Sequence, residues 1–509
     1  MKILLTYPHY PDTFWSFKYA LSFVSKKAAI PPLGLLTVAA MLPAEWDKKL
    51  VDLNVNSLTD EDIKWADYVF VSAMVVQSES VKDVVARCNR LGTKVVAGGP
   101  LFTTGYEQFE GVDHFVLGEA EVTLPLFLDD LDKGQAKPIY MSDERPDINK
   151  TPVPMWSLIN MKNYSSMNLQ YSRGCPYNCE FCDIIILNGN RPRTKDAAQV
   201  ISELDDLYDN GWQGGLFVVD DNFIGNKKKL KAEILPAMAE WSKKRKYPFA
   251  LYTEVTINLA DDEELMQLMI DAGFDRLFIG IESPNEESLV ECDKQQNQGR
   301  DLVALVKKIQ NYGFEVQGGF IIGFDSDPVS IFRSQINFIQ KSGIVTAMVG
   351  LLNAPRGTKL YQRLKEENRL MKFFTGDNTD CSLNFIPKMP YKTLMEGYKG
   401  VLETIYSPQH YYERVRTFLS EYKPPKMDKT IQVKGYHIEA FLKSLWLLGI
   451  KDKGRKYYWK LMISTLFKHP RCFPLSVSLS IFGFHFRKVA EKFISIPVEN
   501  IPIPEKLEN

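Results

Sequence analysis

The sequence predicts an α/β protein: a Rossmann-like doubly wound domain, then a partial (β/α)6 barrel, then a mostly helical carboxy-terminal region. Two blocks of short apolar runs alternate with helical patterns, and a proline-rich stretch separates the blocks. Strands that alternate with helices are typical of parallel sheets. The pattern divides the 509 residues into a first domain, a linker, a barrel and a helical extension, with predicted bounds 1–132, 133–166, 167–370 and 371–509.

The first domain carries five predicted strands: Lys2–Tyr7, Lys49–Leu53, Tyr68–Ser72, Lys94–Ala97 and His114–Leu117. Doubly wound sheets bind their ligands at the carboxyl ends of the strands, and paired glycines there let a backbone approach a ligand closely. The residues at those ends are therefore candidate ligand contacts: Asp52, Asn54, Ser72, Gly98, Gly99, Gly118 and Glu119.

The linker is rich in proline, and six predicted strands follow it: Asn168–Ser172, Gly215–Val219, Phe249–Glu254, Arg276–Ile281, Glu315–Ile322 and Thr346–Leu352. Strand–helix units of this kind form barrels whose active sites lie at the carboxyl ends of the strands. Three cysteines, Cys175, Cys179 and Cys182, follow the first of these strands. The predicted fold therefore places them at the active-site mouth.

The C-x3-C-x2-C spacing of these cysteines supplies one thiolate too few for a closed four-ligand site. An iron–sulfur cluster held by three thiolates keeps one iron open to a small molecule. A structural zinc site is the alternative, but it needs four ligands, usually as two close pairs. The other four cysteines stand alone in the sequence: Cys88, Cys292, Cys381 and Cys472.

The triplet, with Phe181 just before its last cysteine, resembles the radical S-adenosylmethionine (SAM) enzymes. The phrases PPLGLLTVAAMLP, VDLNVNSL, VVAGGPLFTTG and VLGEAEVTLP resemble the cobalamin-binding domain of their cobalamin-dependent class, and CSLNFIPKM resembles the carboxy-terminal extension of hopanoid C-2 methylases. The resemblance implies three cofactors: a [4Fe–4S] cluster on the three cysteines, SAM on its open iron, and cobalamin on the first domain. A nucleotide-binding or decayed Rossmann-like domain is the alternative for residues 1–132.

The polar side chains and glycines at the ends of the barrel strands, together with the resemblance, are the basis for predicting contacts to SAM. The candidate residues are Phe181, Asp220, Asp221, Asn222, Glu254, Glu282 and Gly319. The family often carries Gly-Gly-Glu where this chain has Asp220-Asp221-Asn222, so the individual roles of these three residues stay open. Carboxylates at strand ends are also common as helix N-caps or solvated loop residues, which is the alternative for each of them.

Other cobalamin proteins carry a D-x-H-x-x-G motif whose histidine binds cobalt from below. This chain has Asn54 at the histidine position, and an amide oxygen is a far poorer cobalt ligand than imidazole. We therefore expect cobalamin without a histidine beneath the metal.

The predicted function is methyl transfer to an unactivated carbon of a small molecule or lipid, through a 5′-deoxyadenosyl radical and methylcobalamin. A radical cyclase or rearrangement enzyme would use the same cofactors, and a non-catalytic cobalamin or SAM sensor is a further alternative. No Ser/His/Asp or Cys/His triad is evident among the six scattered histidines. The catalytic groups are therefore expected to be the cofactors themselves, reduced by a partner such as flavodoxin or ferredoxin.

The net charge of −1 argues against nucleic acid as a partner. The amino terminus lacks a signal-peptide layout, and no apolar run reaches the roughly 18–20 residues of a membrane span, so we expect a cytoplasmic protein. From Asp428 to Ile494 there are thirteen Lys/Arg against four Asp/Glu, with aromatic residues between them. This region predicts either peripheral contact with an anionic membrane or helices packed on the barrel with a solvated basic face.

Overall fold

The computed structural model describes residues 1–372, 375–377, 380–424 and 435–500. The first domain is a sheet of six parallel strands in the order β2-β1-β3-β4-β5-β6. These strands are β1 (Lys2–Tyr7), β2 (Asp47–Asp52), β3 (Tyr68–Ser72), β4 (Lys94–Gly98), β5 (His114–Val116) and β6 (Ile139–Tyr140). The predicted doubly wound sheet is confirmed, and the segment predicted as linker adds its sixth strand, which pairs with β5.

Helices cover both faces of this sheet, so its central strands are buried on both sides and consist of continuous apolar runs. Ile3, Leu4 and Leu5 of β1 are fully buried for this reason. The helices are α1 (Lys18–Leu21), α2 (Leu33–Met41), α3 (Asp60–Trp65), α4 (Ser78–Leu91), α5 (Pro100–Gly105) and α6 (Ala120–Asp132).

A second sheet forms the predicted partial barrel, with six parallel strands in the order β7-β10-β11-β12-β13-β14, and a short antiparallel hairpin of β8 and β9 stands at its mouth. The strands are β7 (Ser166–Leu169), β8 (Ser172–Arg173), β9 (Arg193–Thr194), β10 (Gly214–Val218), β11 (Phe249–Val255), β12 (Phe274–Glu282), β13 (Glu315–Ile322) and β14 (Ala347–Leu351). The first predicted barrel strand is therefore divided, because β7 ends at Leu169 and Ser172 begins the hairpin.

The short helix α7 (Ile184–Asn188) lies in the loop between β8 and β9. The helices that follow the other barrel strands and cover the sheet are α8 (Ala197–Asp209), α9 (Lys227–Lys229), α10 (Leu235–Lys244), α11 (Glu263–Ala272), α12 (Glu286–Glu291), α13 (Leu302–Tyr312), α14 (Ile331–Ser342) and α15 (Lys359–Glu366). The strand residues that face them, such as Leu277, Ile279 and Ile281 of β12, are fully buried. Alternate residues of the same strand face the interior of the barrel.

The described part of the carboxy-terminal region is helical, as predicted, with α16 (Tyr391–Tyr406), α17 (Pro408–Glu421), α18 (Gly435–Trp446), α19 (Arg455–Lys468) and α20 (Phe473–Ile494). The remainder of the predicted extension lies outside the described residues: 373–374, 378–379, 425–434 and 501–509. The apolar run from Cys472 to Phe486 lies largely within α20 and packs inward, which agrees with the packed-helix alternative for this segment; the ring of Phe486 lies 5.3 Å from that of Phe14.

Candidate functional site

The three cysteines lie in the loop that the β8–β9 hairpin closes at the carboxyl end of β7, and we call residues 174–192 the cysteine loop. The backbone N–H of Cys175 donates to the carbonyl of Gly189 at 3.3 Å, and that of Cys182 donates to the carbonyl of Cys179 at 3.2 Å. Gly174 begins the loop with φ +97°, and a Cβ there would lie 2.8 Å from the Gly189 carbonyl oxygen. Glycine is therefore required where the chain turns into the loop.

All three cysteines are free thiols, and burial raises the pKa of each one. Because thiolates are the metal-binding form, metal binding at these thiols releases protons. Within the described ranges, no three His, Cys, Asp or Glu side chains are placed to hold a single metal ion. The donor set of three thiols and no fourth ligand fits a cluster with one open iron better than it fits structural zinc.

Glu282 ends β12 in a strained conformation beside this loop. Its φ of +62° is in the left-handed region, and the ladder to β13 shifts register between Gly280 and Glu282. The carboxylate is buried and lies 2.6 Å from the ammonium of Lys294. A Cβ on Gly280 would clash with that carboxylate and lie 2.9 Å from the ammonium. Strain in a buried residue at the mouth of a barrel is typical of functional sites.

Lys294 was not among the predicted site residues. Burial by itself would lower the pKa of its ammonium, but Glu282 and Cys179 outweigh burial and raise that pKa. A buried positive charge therefore stands near the cysteines. Only its place in the sequence, twelve residues after a strand-end carboxylate, could have suggested it, and that is a weak signal.

Glu254 is the penultimate residue of β11 and lies at the same mouth. Burial, followed by the nearby carboxylates of Asp221 and Glu282, raises its pKa to about 8. Within the described part of the chain, the Glu254 carboxyl group makes no hydrogen bond. A carboxyl group left without a partner beside other carboxylates is poised to pair with a cation.

The Asp220-Asp221-Asn222 segment supports the cysteine loop. Asp220 is buried, and its carboxylate accepts hydrogen bonds from the backbone N–H of Tyr171 at 2.8 Å and the hydroxyl of Ser172 at 2.6 Å. Burial raises its pKa to about 7. Asp221 accepts from the backbone N–H of Gly174 at 3.3 Å and from Asn188 at 3.0 Å. Both carboxylates thus hold the entrance of the loop, and their predicted contact with SAM stays a prediction.

The other predicted SAM residues are spread around the mouth. The side chain of Asn222 is buried and accepts a long hydrogen bond of 3.5 Å from Thr256. The ring of Phe181 lies 6.3 Å from that of Phe324. A Cβ on Gly319 would lie 2.9 Å from the ring of Phe278, so a larger residue there would have to displace that ring.

At the carboxyl edge of the first sheet, Asp52 and Asn54 are bonded within the chain. The Asp52 carboxylate accepts from the backbone N–H of Asn54 at 2.9 Å and from the hydroxyl of Tyr164 at 3.0 Å. The Asn54 amide accepts from the backbone N–H of Tyr10 at 3.1 Å and donates to the carbonyl of Pro8 at 3.2 Å. The Asn54 amide is thus held by the chain itself, and cobalamin without a histidine beneath the metal stays a prediction.

The glycines of this edge fit a close-approaching ligand. Gly99 has φ +89°, and a Cβ there would clash with the hydroxyl of Ser72; a Cβ on Gly98 would lie 2.7 Å from the Val116 carbonyl oxygen. Gly118, with φ +78°, follows β5. An open groove of about 450 Å³ lies beside Asn54, bordered by residues that include His9, Ser57 and Arg87. A glycine-lined edge of this kind permits the close backbone approach that a corrin ring requires.

Glu119, at the same edge, is bound to arginines instead. Its carboxylate accepts from Arg193 at 2.7 and 2.9 Å, from Arg173 at 2.7 Å and from Arg145 at 3.2 Å. The side chain is 6% exposed. These contacts occupy both carboxylate oxygens, so the geometry places Glu119 against the cysteine loop, and its predicted contact with cobalamin stays a prediction.

Comparisons with known proteins agree with this arrangement. Three family models match in chain order: the B12 binding domain over residues 24–128, the Radical SAM superfamily over 169–333, and a Domain of unknown function (DUF4070) over 358–496. A hopanoid C-2 methylase of Rhodopseudomonas palustris is 31% identical over 92% of this chain and 90% of its own length. The chain belongs to the cobalamin-dependent radical SAM enzymes. A protein of Synechocystis sp. named an uncharacterized methyltransferase is 38% identical over 96% of this chain and 92% of its own.

Solved structures of cobalamin-dependent radical SAM enzymes share the fold. The superposition with OxsB, with aqua-cobalamin and SAM bound, includes 97% of this chain and 79% of the OxsB chain, at a TM-score of 0.60 and 16% sequence identity. TsrM from Kitasatospora setae, with tryptophan and a SAM analogue bound, covers 73% of this chain with 77% of its own, at a TM-score of 0.57 and 15% identity. Family membership confirms the predicted cofactors: a [4Fe–4S] cluster, SAM and cobalamin.

Proposed function

We propose that this cobalamin-dependent radical SAM enzyme transfers a methyl group to an unactivated carbon of a small molecule or lipid. When bound, the cluster and SAM supply a 5′-deoxyadenosyl radical that removes hydrogen from a C–H bond, and methylcobalamin supplies the methyl group. The chain's own residues hold the two sites together and exclude water from them. A substrate R–H, two SAM and two electrons thus give R–CH3, methionine, 5′-deoxyadenosine and S-adenosylhomocysteine.

One observation carries the proposal: the cysteine loop is bonded directly to the carboxyl edge of the cobalamin domain. Arg173 and Arg193, at the two ends of that loop, both donate to Glu119. The cysteine loop and the carboxyl edge of the cobalamin domain therefore lie next to each other. Transfer of a methyl group to a short-lived substrate radical requires such proximity.

A lipid is the favoured substrate class. The match to the hopanoid C-2 methylase covers 90% of that protein, and its name refers to a lipid. The third region of this chain resembles its carboxy-terminal extension. Flavodoxin or ferredoxin is the proposed electron donor, because the balanced reaction consumes two electrons per turnover.

The test is anaerobic reconstitution of the full chain with iron, sulfide and hydroxocobalamin, followed by reduction with methyl-deuterated SAM and a lipid extract. We expect 5′-deoxyadenosine, S-adenosylhomocysteine and a lipid that carries the deuterated methyl group. Deoxyadenosine without S-adenosylhomocysteine would contradict methylation and favour cyclisation or rearrangement. Binding of SAM and cobalamin with neither product would favour a sensor.

We also propose that the protein contacts a membrane peripherally through an apolar surface on α18, the turn that follows it, and α19. Its eight side chains are between 41% and 81% exposed: Ile438, Leu442, Trp446, Ile450, Trp459, Ile463, Leu466 and Phe467. The first four recur every fourth residue and so form one stripe. The indole N–H of Trp459 donates to the Gly449 carbonyl at 2.8 Å, which joins this stripe to α19.

Charge around this apolar surface is mostly positive, and the exposed Glu439 of α18 is paired with Lys443. Seven basic residues with exposed side chains lie on α19 and the turns at its two ends: Lys451, Lys453, Arg455, Lys456, Lys460, Lys468 and Arg471. Between Glu439 and Glu491 the sequence contains one acidic residue, Asp452, and its carboxylate is bonded to Arg487. Exposed apolar and aromatic side chains flanked by cations suit the surface of an anionic bilayer. No helix among the described residues is long and apolar enough to cross a membrane.

Vesicle sedimentation tests this contact. The full chain should sediment with phosphatidylcholine vesicles that contain phosphatidylglycerol, and salt should weaken that binding. Leu442→Glu with Phe467→Glu should abolish sedimentation, whereas Leu126→Glu, at a 53% exposed apolar position on α6, should not. Equal binding to neutral vesicles, or self-association without vesicle binding, would contradict the proposal.

A further inference from the structure

Both ends of the cysteine loop are tied to one pair of carboxylates on the cobalamin domain. Arg173 precedes the loop and Arg193 follows it, and the two are paired in the β8–β9 hairpin. Glu119 accepts from both arginines, and Glu121 accepts from Arg173 at 2.7 and 3.0 Å. We call Glu119 and Glu121 the glutamate pair.

These contacts are largely buried, and the charged groups that make them have further hydrogen-bond partners. The side chains of Arg173 and Glu121 are 12% and 10% exposed. Glu121 also accepts from the hydroxyl of Thr151 at 2.7 Å, and the Nε of Arg173 donates to Gln170 at 2.9 Å. Arginine–carboxylate pairs with several donors fix orientation as well as distance.

Arg145 adds a third contact between the glutamate pair and the loop. Its guanidinium donates to Glu119 at 3.2 Å and, on the other side, to the carbonyls of Ile186 at 2.9 Å and Leu187. Those carbonyls lie in α7, inside the cysteine loop. The loop is therefore held from the cobalamin domain at its entrance, its exit and its middle.

We infer that Glu119 is a positioning residue, which sets where the cysteine loop, and with it the [4Fe–4S] cluster, stands relative to cobalamin. Glu119 directly follows Gly118 at the carboxyl end of β5, so it belongs to the edge that holds cobalamin while its carboxylate holds the loop. The inference rests on the family's cofactors and is independent of whether the reaction is methylation. It replaces the predicted contact between Glu119 and cobalamin.

A second carboxylate on the same loop provides the matched control. Glu180 accepts from Arg363 of α15 at 2.6 and 3.0 Å, which is the same chemistry with a partner inside the barrel. Removal of the Glu180 charge should leave the link between the loop and the cobalamin domain intact.

The test compares full-length Glu119→Gln and Glu180→Gln with the wild type after reconstitution with cluster and cobalamin. Pulsed electron paramagnetic resonance of the partly reduced protein measures the distance distribution between cob(II)alamin and the reduced cluster. We expect Glu119→Gln to broaden or shift that distribution and Glu180→Gln to keep it. We also expect hydrogen exchange of residues 174–192 in the cofactor-free chain to rise about tenfold or more in Glu119→Gln.

Arg193→Gln removes the arginine of the Glu119–Arg193 ion pair and should give the same spectroscopic change. The inference therefore stays testable if Glu119→Gln does not fold. An unchanged distance distribution in both variants would overturn it. Loss of bound cobalamin in Glu119→Gln with unaltered loop exchange would overturn it as well, and would restore Glu119 as a cobalamin contact.

Discussion

The carboxyl edges of the two sheets carry similar polar residues, but the two edges differ in how far the chain itself supplies partners for those side chains. At the first edge, Asp52, Asn54 and Glu119 are bonded to the chain's own backbone, tyrosine and arginines. At the second edge, Glu254 makes no hydrogen bond among the described residues, and Glu282 is strained and paired with Lys294. The first edge is thus assembled before any ligand arrives, whereas the second retains a carboxyl group without a partner that a cationic ligand can engage.

This difference follows from what each ligand offers. Cobalamin is a large ring that is held by shape and backbone approach, so glycines matter and side chains serve to fix loops. SAM carries a sulfonium, an ammonium and a carboxylate, so its site needs ionisable groups for which the protein has not already supplied every partner. Variants that act on one edge and spare the other test this division.

Cys182→Ala should have the largest effect, on the second edge alone. Removal of one of three thiolates should abolish cluster assembly and SAM cleavage, because no other cysteine pair stands near in the sequence to replace it. Iron and sulfide content, and the yield of 5′-deoxyadenosine, measure this loss. Cobalamin content, read from its visible absorption, should stay close to that of the wild type. An equal loss of cobalamin would show that the two edges are not independent.

Lys294→Met should come next, because it leaves the buried carboxylate of Glu282 without its partner. Such a loss typically costs about 3–5 kcal/mol in the free energy of unfolding. We also expect SAM affinity of the reconstituted protein to fall by at least about tenfold, measured by equilibrium binding.

Arg276→Met is the matched control for this variant, since Arg276 pairs with the buried carboxylate of Glu315 at the amino ends of β12 and β13, away from the mouth. It should lower stability to a similar degree and leave the SAM affinity of the folded protein unchanged. A parallel loss of SAM affinity in both variants would mean that Lys294 acts through stability alone.

Sequence patterns predicted the fold well because strand periodicity and the order of motifs are local signals. The parallel order of both sheets and the position of the cysteines after the first barrel strand follow from those signals. The partners of individual carboxylates do not. Glu119 meets Arg193, 74 residues away, and nothing in the sequence near either residue specifies that contact.

The same limit explains Lys294 and α20. A lysine that no motif marks becomes a site residue because the β12 bulge turns Glu282 toward it. The apolar run of α20 has the composition of an interfacial helix, and only its packing against Phe14 and Phe17 of the first domain shows that it is buried. Long-range packing decides both cases.

Glu254→Gln should have a moderate effect that depends on pH. The ordinary pKa of 4.5 is raised to about 8 in the folded protein, so the folded state keeps a proton that the unfolded chain releases. The stability of the cofactor-free protein should therefore fall as pH rises from about 5 to 8. Glu254→Gln should remove on the order of 2 kcal/mol of that fall, measured by urea unfolding at each pH. An identical pH dependence in the variant would show that Glu254 ionises normally.

Asn54→Ala should have the smallest effect and tests the first edge. The variant removes hydrogen bonds to Pro8 and Tyr10 that are each worth about 1 kcal/mol, so cobalamin affinity should fall less than about tenfold. The electron paramagnetic resonance spectrum of bound cob(II)alamin should be the same in wild type and variant, without nitrogen splitting from a protein imidazole. Splitting of that kind in the wild type would mean that a histidine from elsewhere in the chain reaches cobalt. A change in the cobalt signal on substitution would instead make Asn54 a ligand, and the first edge would then use its polar side chains as the second edge does.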